Sequence, residues 1–563
     1  MEKGIIGLDF GSLSCRGILV RSADGSILAE EVCPYRHGIL ESLPDGKSIP
    51  AGYVLQHPND FKEALFRVVK GLSASYQAQN LQVTAIGLDS TASTVIPVLK
   101  DLTPLSSMPD FVYDPDAYAI MWKDHRAAPE ASLLTEALRK TDPAWLGQFG
   151  GSIGAESLIS KVLHLCLNAP EVYKPTFAFM EMGDWLTSLL TGRPTLSKTT
   201  LTCKNLFRNR IGFPEESFFR AIDSRLNDIS KKLMPWIENE AVIGYPGQIA
   251  GKLSETAAKE LGLNESAVVT FAQIDGYAGL VGAGISKAGQ LVLTSGTSTG
   301  FFMLTDRYEP IDGVCAAVRD SMVPGYTGIA AGQASTGDSF AWFVDNTVPP
   351  AYWDDARKHG MDIHAWLCEC IRRLPDNAPH LLALDWMNGN KSPLNRPGLS
   401  GMILGLTLDT KPEHIYRAMM EAAAFGARHI IDTIENQDIP ISRIVAAGGI
   451  PHKNAMLMQI YADALQKPIE LIYCRQTAAM GSAITAAVAE AGGYSLWSET
   501  VSRMKTVVSS IYVPDTSKKQ LYDRLYQAYL SMTDYFANQN IVMEELREYR
   551  QSSQGGRYVS ESL

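Results

Sequence analysis

The chain has 563 residues, 46% of them hydrophobic and only 20% charged, so it carries apolar material for more than one core and is not a largely disordered protein. Lys and Arg number 50 against 61 Asp and Glu, a net charge of -11, which excludes a general affinity for nucleic acid. No stretch approaches the ~20 apolar residues of a membrane span, and the opening apolar run stops at Asp9, too short for a signal peptide, so the expected address is the cytoplasm with no membrane partner.

In chain order, Gly4 to Phe10, Arg16 to Arg21 and Ser26 to Val32 read as three antiparallel strands, with Asp24-Gly25 as a two-residue hairpin turn. A helix follows over Asp60 to Leu72, capped by Asn59 or Asp60, with Phe61, Leu65, Val68, Val69 and Leu72 along one face. Val83 to Leu88 is a buried strand ending at Asp89. Near residue 268 the programme restarts: Val268 to Ile274 is an apolar strand, Tyr277 to Gly284 a small-residue helix, and Gln290 to Thr294 and Phe301 to Thr305 are strands around a Ser/Thr/Gly turn. The helix Pro412 to Glu435, the strand Arg443 to Ala447 and later helices complete this second half. The pattern predicts an α/β protein of two domains, 1–262 and 263–545, with a cleft between them and a polar tail over 546–563. The scattered cysteines, with no secretory signal, read as reduced thiols.

Three motifs carry candidate chemistry. Asp9 ends the first strand, and the turn after it holds Gly11, Ser12, Ser14 and, two residues on, Arg16. Such a turn offers amides and hydroxyls to phosphate oxygens while Asp9 holds hydrated Mg²⁺, although a hairpin with a capping Asp has the same composition. The second turn, Thr294 to Gly300, places Gly296, Thr297 and Ser298 where a phosphate chain could lie close to backbone. The third, Ala447-Gly448-Gly449-Ile450-Pro451-His452-Lys453-Asn454, joins a strand to a helix; its glycines suit a nucleotide lying on backbone, with Asn454 reaching ribose or base, and a tight strand-helix junction is the alternative. Neither G-x-G-x-x-G after the first strand nor G-x-x-x-x-G-K-[ST] occurs. Two phosphate turns in opposite halves plus a Gly-Gly shelf are the parts of a cleft-binding ATPase of the actin, hexokinase and Hsp70 type. Asp275, at a strand end before Gly276 and a helix, is the candidate general base, its ionised form favoured by the helix N-terminus; capping that helix is the other reading. For a polyol, Asp89 and the group Lys123, Asp124, His125, Arg126 supply paired polar side chains, or else a solvated charge run.

At these residues the chain resembles the FGGY carbohydrate kinases. Gly401-Met402-Ile403-Leu404-Gly405-Leu406, His414-Ile415 and Ala418-Met419-Met420-Glu421 fit the spacing of that family's C-terminal signature. In its N-terminal signature Lys161 is present, but His164 stands where tryptophan is expected. Within the family the resemblance is strongest to the L-ribulokinases, through Tyr35-Arg36-His37-Gly38, Leu55-Gln56-His57-Pro58, Ala331-Gly332-Gln333, Gly337 to Trp342 and Asp385 to Asn390. Three positions depart from that pattern: Ala330 stands in place of Glu, Asp124 replaces the first His of Trp-Lys-His-His, and Lys391 replaces Arg. The resemblance implies two ribonuclease-H-like domains, ATP and Mg²⁺ as cosubstrate and metal, Asp275 as catalytic base and, with Asp9, as the metal-side carboxylate. It implies phosphorylation of a ketopentose hydroxyl, first of all L-ribulose to L-ribulose 5-phosphate in L-arabinose catabolism. D-ribulose, D-xylulose or glycerol are alternative acceptors, a sugar-sensing ATPase is the non-catalytic alternative, and a homodimer is the oligomer to look for.

Overall fold

The computed structural model describes residues 2–78, 81–209, 211–236, 242–375, 378–504 and 506–553. β1 (Glu2–Phe10), β2 (Ser14–Arg21) and β3 (Ile27–Pro34) pair antiparallel in sequence order, each apolar run ending at a short turn that carries glycine and small polar residues. α1 (Pro58–Ala78) buries Phe61, Leu65, Val68, Val69 and Leu72, the face predicted from their spacing. Its start lies earlier than expected, and Asp60 is not its cap. The Asp60 carboxylate instead accepts the His37 amide and meets the His37 ring Nδ1, each at 2.8 Å. β4 (Leu81–Ser90) then enters parallel to β1.

The run Val268 to Ile274 does not open the second half. It divides into β6 (Val268–Thr270) and β7 (Gln273–Ile274), both parallel to β4, with β5 (Ile249–Lys252) antiparallel outside β6. The break placed at residue 262 therefore falls beyond α2 (Asp275–Gly282), which follows β7 directly. A buried strand between turns has the same apolar pattern whether it closes one sheet or opens the next, so periodicity alone could not place it.

The second sheet runs β10-β11-β9-β8-β12-β13-β14, where these strands are β8 (Gln290–Ser295), β9 (Thr299–Thr305), β10 (Ala316–Arg319), β11 (Thr327–Gln333), β12 (Arg443–Ala447), β13 (Ile469–Tyr473) and β14 (Val507–Tyr512). Its β11-β9-β8 antiparallel run, parallel β12 and β13 and antiparallel edge β14 repeat the order β3-β2-β1-β4-β6-β5 of the first sheet. The helices α3 (Gly337–Thr347) and α4 (Pro412–Glu435) cover it. α5 (Thr477–Ala491), rich in Ala, lies between the halves. A Cβ on Gly7 of β1 would sit 2.0 Å from the Ala479 carbonyl, on Gly87 of β4 2.1 Å from that of Ser482, and on Gly282 of α2 1.9 Å from that of Thr477. Backbone thus meets backbone where the halves join. Ile5 and Val20 of the first sheet share one buried cluster there with Val292 and Val445 of the second.

The expected tail begins as ordered structure, since a helix runs over Val542–Ser553; residues 554–563 lie outside the described residues. The cysteines among the described residues are free thiols. Among the described residues, no helix is long and apolar enough to cross a membrane.

Candidate active site

Parallel pairing brings three carboxylates to one edge of the first sheet. Asp9 and Asp89 are direct partners across β1 and β4, and Gln273, two residues before Asp275, is the partner of Asp89 across β7 and β4. Burial pushes the Asp275 carboxyl up to about 6, helped by the negative charge of Asp9 and opposed by the Gly276 amide and Lys204. Burial also raises Asp9, against the pull of Arg16, whose Nη1 lies 3.2 Å from Asp9 Oδ2. Asp275 begins α2, and its Oδ1 accepts the Gly276 amide at 2.7 Å, so the helix start holds the carboxylate in place.

Asp89 requires a correction. It is fully buried, burial and the charge of Asp9 hold its carboxyl well above the usual range, and its Oδ2 accepts from Ser482 Oγ at 2.6 Å on α5. A sugar cannot reach it; Asp89 belongs to the floor beneath Asp9. Its Oδ1 is buried without a partner, and the crowding of three acids is a setting that a divalent cation would relieve. Among the described residues no three His, Cys, Asp or Glu side chains form a ligand set by themselves. Asp9 and Asp275 are carboxylates of the kind that Mg²⁺ takes, one or two at a time, beside waters and phosphate oxygens.

The first turn is held from outside. Gly11 N donates to Ser14 O at 3.0 Å, Tyr35 Oη donates to Gly11 O at 3.0 Å, and Gln56 Nε2 donates to Ser12 O at 2.8 Å. Ser12 Oγ accepts the Trp122 indole Nε1-H at 3.0 Å. The second turn is held by its neighbour: the amides of Thr336, Gly337 and Asp338, at the start of α3, donate to Thr297 O, Gly296 O and Thr297 O at 2.8, 3.1 and 3.2 Å. Gly296, Thr297 and Ser298 are exposed. The third motif abuts this turn. Gly448 has φ +97°, and a Cβ there would come 2.4 Å from Ser295 O, so only glycine lets β12 turn so close to β8. Gly449 is exposed beside it. Asn454 corrects the expectation for it, because its Oδ1 accepts the Leu457 amide at 3.0 Å and caps the following helix, while Nδ2 faces the Met420 sulfur.

In the 123–126 group, Asp124 and Arg126 are also corrected. Asp124 is buried and accepts from the Val54 and Arg126 amides at 3.0 and 3.1 Å and from Arg126 Nε at 2.9 Å. Arg126 also binds Asp116 through Nη1 at 2.9 Å and stacks on the Tyr53 ring. These two lock to each other behind the wall, since adjacent opposite charges find each other before they find a ligand. Lys123 and His125 remain exposed, and Lys123 Nζ lies 5.3 Å from the centroid of the half-buried Trp122 ring.

Sequence reasoning gave no role to Lys161, Glu181 or Lys204. Lys161 is buried and donates through Nζ to the carbonyls of Ser93 at 2.6 Å, Met121 at 2.7 Å and Ile120 at 3.4 Å. Glu181 accepts the Ser93 amide at 2.7 Å, so both faces of a left-handed residue, φ +66°, are tied down just past the end of β4. Burial pushes Lys161 down and Glu181 up. The signal was a lone Lys inside the apolar run Leu158-Ile159-Ser160-Lys161-Val162-Leu163. Lys204, whose charge acts on Asp275, lies 3.9 Å from Glu156 Oε1, and Lys391 of the second half also lowers Glu156. His164, the departure in the signature, lies apart from this cluster against Glu130.

Residues 4–282 match the N-terminal domain, and residues 291–490 the C-terminal domain, of the FGGY family of carbohydrate kinases. Curated ribulokinases of Halalkalibacterium halodurans and Geobacillus thermodenitrificans are each 36% identical to this chain, over 97% of both chains and 99% of both chains respectively. Among solved structures, a xylulose kinase from Rhodospirillum rubrum superposes with TM-score 0.76 at 22% identity, covering 95% of this chain and 99% of its own. A Plasmodium falciparum glycerol kinase with ADP gives 0.71 at 17%, covering 94% and 98%. These two likenesses show the shared fold.

Proposed function

The chain belongs to the FGGY family of carbohydrate kinases, and from that premise we propose that it transfers the γ-phosphoryl group of ATP to a hydroxyl of a pentulose, with L-ribulose the preferred acceptor, in the cytoplasm. The observation that carries this reading is the position of Asp275. It is a part-buried carboxylate at a strand end and a helix start, on whose ionisation the charges of Asp9 and Lys204 act in opposite directions. A carboxyl near pKa 6 is ionised at neutral pH yet basic enough to accept the proton of an attacking hydroxyl as the O-P bond forms. Trp122, Lys123, His125, Glu156 and Lys204 provide the sugar side, an aromatic face with cationic and acidic groups suited to a polyol. The half-buried Ser12 and Ser14 hydroxyls of the first turn and the exposed Thr297 and Ser298 of the second receive the phosphates, and Gly448 and Gly449 the nucleoside. Asp9 and Asp275 would hold Mg²⁺ through its waters; the ion supplies charge neutralisation on the phosphates.

ADP release measured with and without each of the 2-ketopentoses tests this reading. Turnover stimulated by a ketopentose, greatest in kcat/KM for L-ribulose, is the expected result. A preference of more than ~10-fold for D-ribulose or D-xylulose overturns the choice of sugar, and no stimulation by any of them overturns the kinase reading.

A further inference from the structure

Trp122 reaches the first turn with its indole N-H and carries Lys123 over its ring. Its backbone is fixed because Lys161 holds the carbonyl of the preceding residue, Met121, at 2.7 Å. Its indole is half-buried with Lys123 over the ring, and its Nε1-H ends on Ser12 Oγ at 3.0 Å. An indole N-H can only donate, so the Ser12 hydroxyl must accept it and keeps its own O-H to direct elsewhere. The rest of that turn is fixed, with the Gly11 and Ser12 carbonyls taken by Tyr35 and Gln56. The Ser12 hydroxyl is thus the part of the turn whose direction is set from the sugar side.

We propose that the Trp122–Ser12 hydrogen bond couples sugar occupancy to the phosphate turn, making Trp122 a positioning residue that restricts ATP turnover to the sugar-bound enzyme. The inference rests on the kinase reading above and adds to it a route between the two substrates. A sugar settling against the indole fixes its tilt, and the tilt fixes the Ser12 hydroxyl. With the sugar absent, the hydroxyl is less well directed, and the γ-phosphoryl group is less readily lost to water.

The test uses the full-length protein, ATP and L-ribulose, with Trp122→Phe, Ser12→Ala and the double variant. Phe keeps an aromatic face and removes the donor. The expected result is an L-ribulose Kd within about threefold of the wild type, a kcat for transfer at least about tenfold lower, and a raised ratio of sugar-independent ATP hydrolysis to sugar phosphate formed. Ser12→Ala should raise the same ratio, and Trp122→Phe should add nothing in that background, because the bond is already gone. A folded Trp122→Phe enzyme with the wild-type ratio overturns the inference, as do effects of the two substitutions that multiply. Should Trp122→Phe fail to fold, an unchanged ratio in Ser12→Ala alone overturns it. A wild type that phosphorylates L-ribulose while the variants stay coupled refutes this inference alone, whereas a wild type with no sugar-stimulated turnover refutes both.

Discussion

The turn Gly11 to Ser14 is fastened by side chains from distant segments, Tyr35, Gln56 and Trp122, whereas the turn Gly296 to Ser298 is fastened by the amides of the helix that leans on it. The strand ends beneath them differ as well. Asp9, Asp89 and Asp275 crowd the first sheet, while β8 and β12 of the second end in Thr294-Ser295 and Ala447-Gly448. One sheet order therefore serves two purposes: the first half concentrates charge and depends on side chains to aim it, and the second offers backbone that its own neighbours hold rigid. Substitutions in the first half should change chemistry and coupling, and those in the second mainly stability.

The sharpest test of that contrast is Asp275→Asn. With the base removed and shape kept, kcat should fall by roughly 10²- to 10⁴-fold with sugar Kd little changed. The wild-type kcat/KM should itself rise with pH through about 6 as Asp275 ionises. A raised carboxyl pKa contributes stability below the unfolded value of 3.8 that is lost as pH rises through about 6. Asp275→Asn should therefore melt at a higher temperature than the wild type at neutral pH and at the same temperature near pH 3.8. An active, normally binding Asp275→Asn enzyme would break the contrast at its centre.

Next in size is Lys161→Met, which takes the buried donor from the Ser93 and Met121 carbonyls and removes a charge that lowers the Glu181 carboxyl. Denaturant unfolding should show a loss of about 3 kcal/mol or more, with a raised sugar KM. Gln56→Leu removes one bond to the first turn and should raise the ATP KM by about three- to tenfold, leaving sugar Kd unchanged. Smallest is Thr299→Val in the second turn. It removes hydroxyl contacts with Ser295 at 3.0 Å and Thr336 at 2.8 Å but none of the main-chain bonds. About 1 kcal/mol of stability and less than about twofold in ATP KM should be lost. A larger effect on ATP KM from Thr299→Val than from Gln56→Leu would reverse the assignment of the two supports.

The strands and helices could be read from the sequence where period and turn chemistry agree: the helix Pro412–Glu435 and the strand Arg443–Ala447 have the limits expected of them. Sheet membership could not, as β6 and β7 demonstrate, because pairing is decided by which buried edge is open and not by the strand's own residues. The site divides in the same way. The strand-end places of Asp9 and Asp275 and the tight turn at Gly448 were legible because an apolar run stops at each of them. Asp124 and Arg126 were misread because a charge run does not state whether its members bind each other. The holding role of Tyr35 and Gln56 was invisible because a bond to a carbonyl more than twenty residues away leaves no local mark.

The contacts of α5 have a consequence for how such a chain can diverge. Gly7, Gly87 and Gly282, together with Gly481, where a Cβ would lie 1.8 Å from Ala278 O, have room for a hydrogen atom only. The seam admits no enlargement at those positions. Lys123 and His125 are exposed and lie off that seam, so substitutions can accumulate at them while the joint between the halves stays frozen.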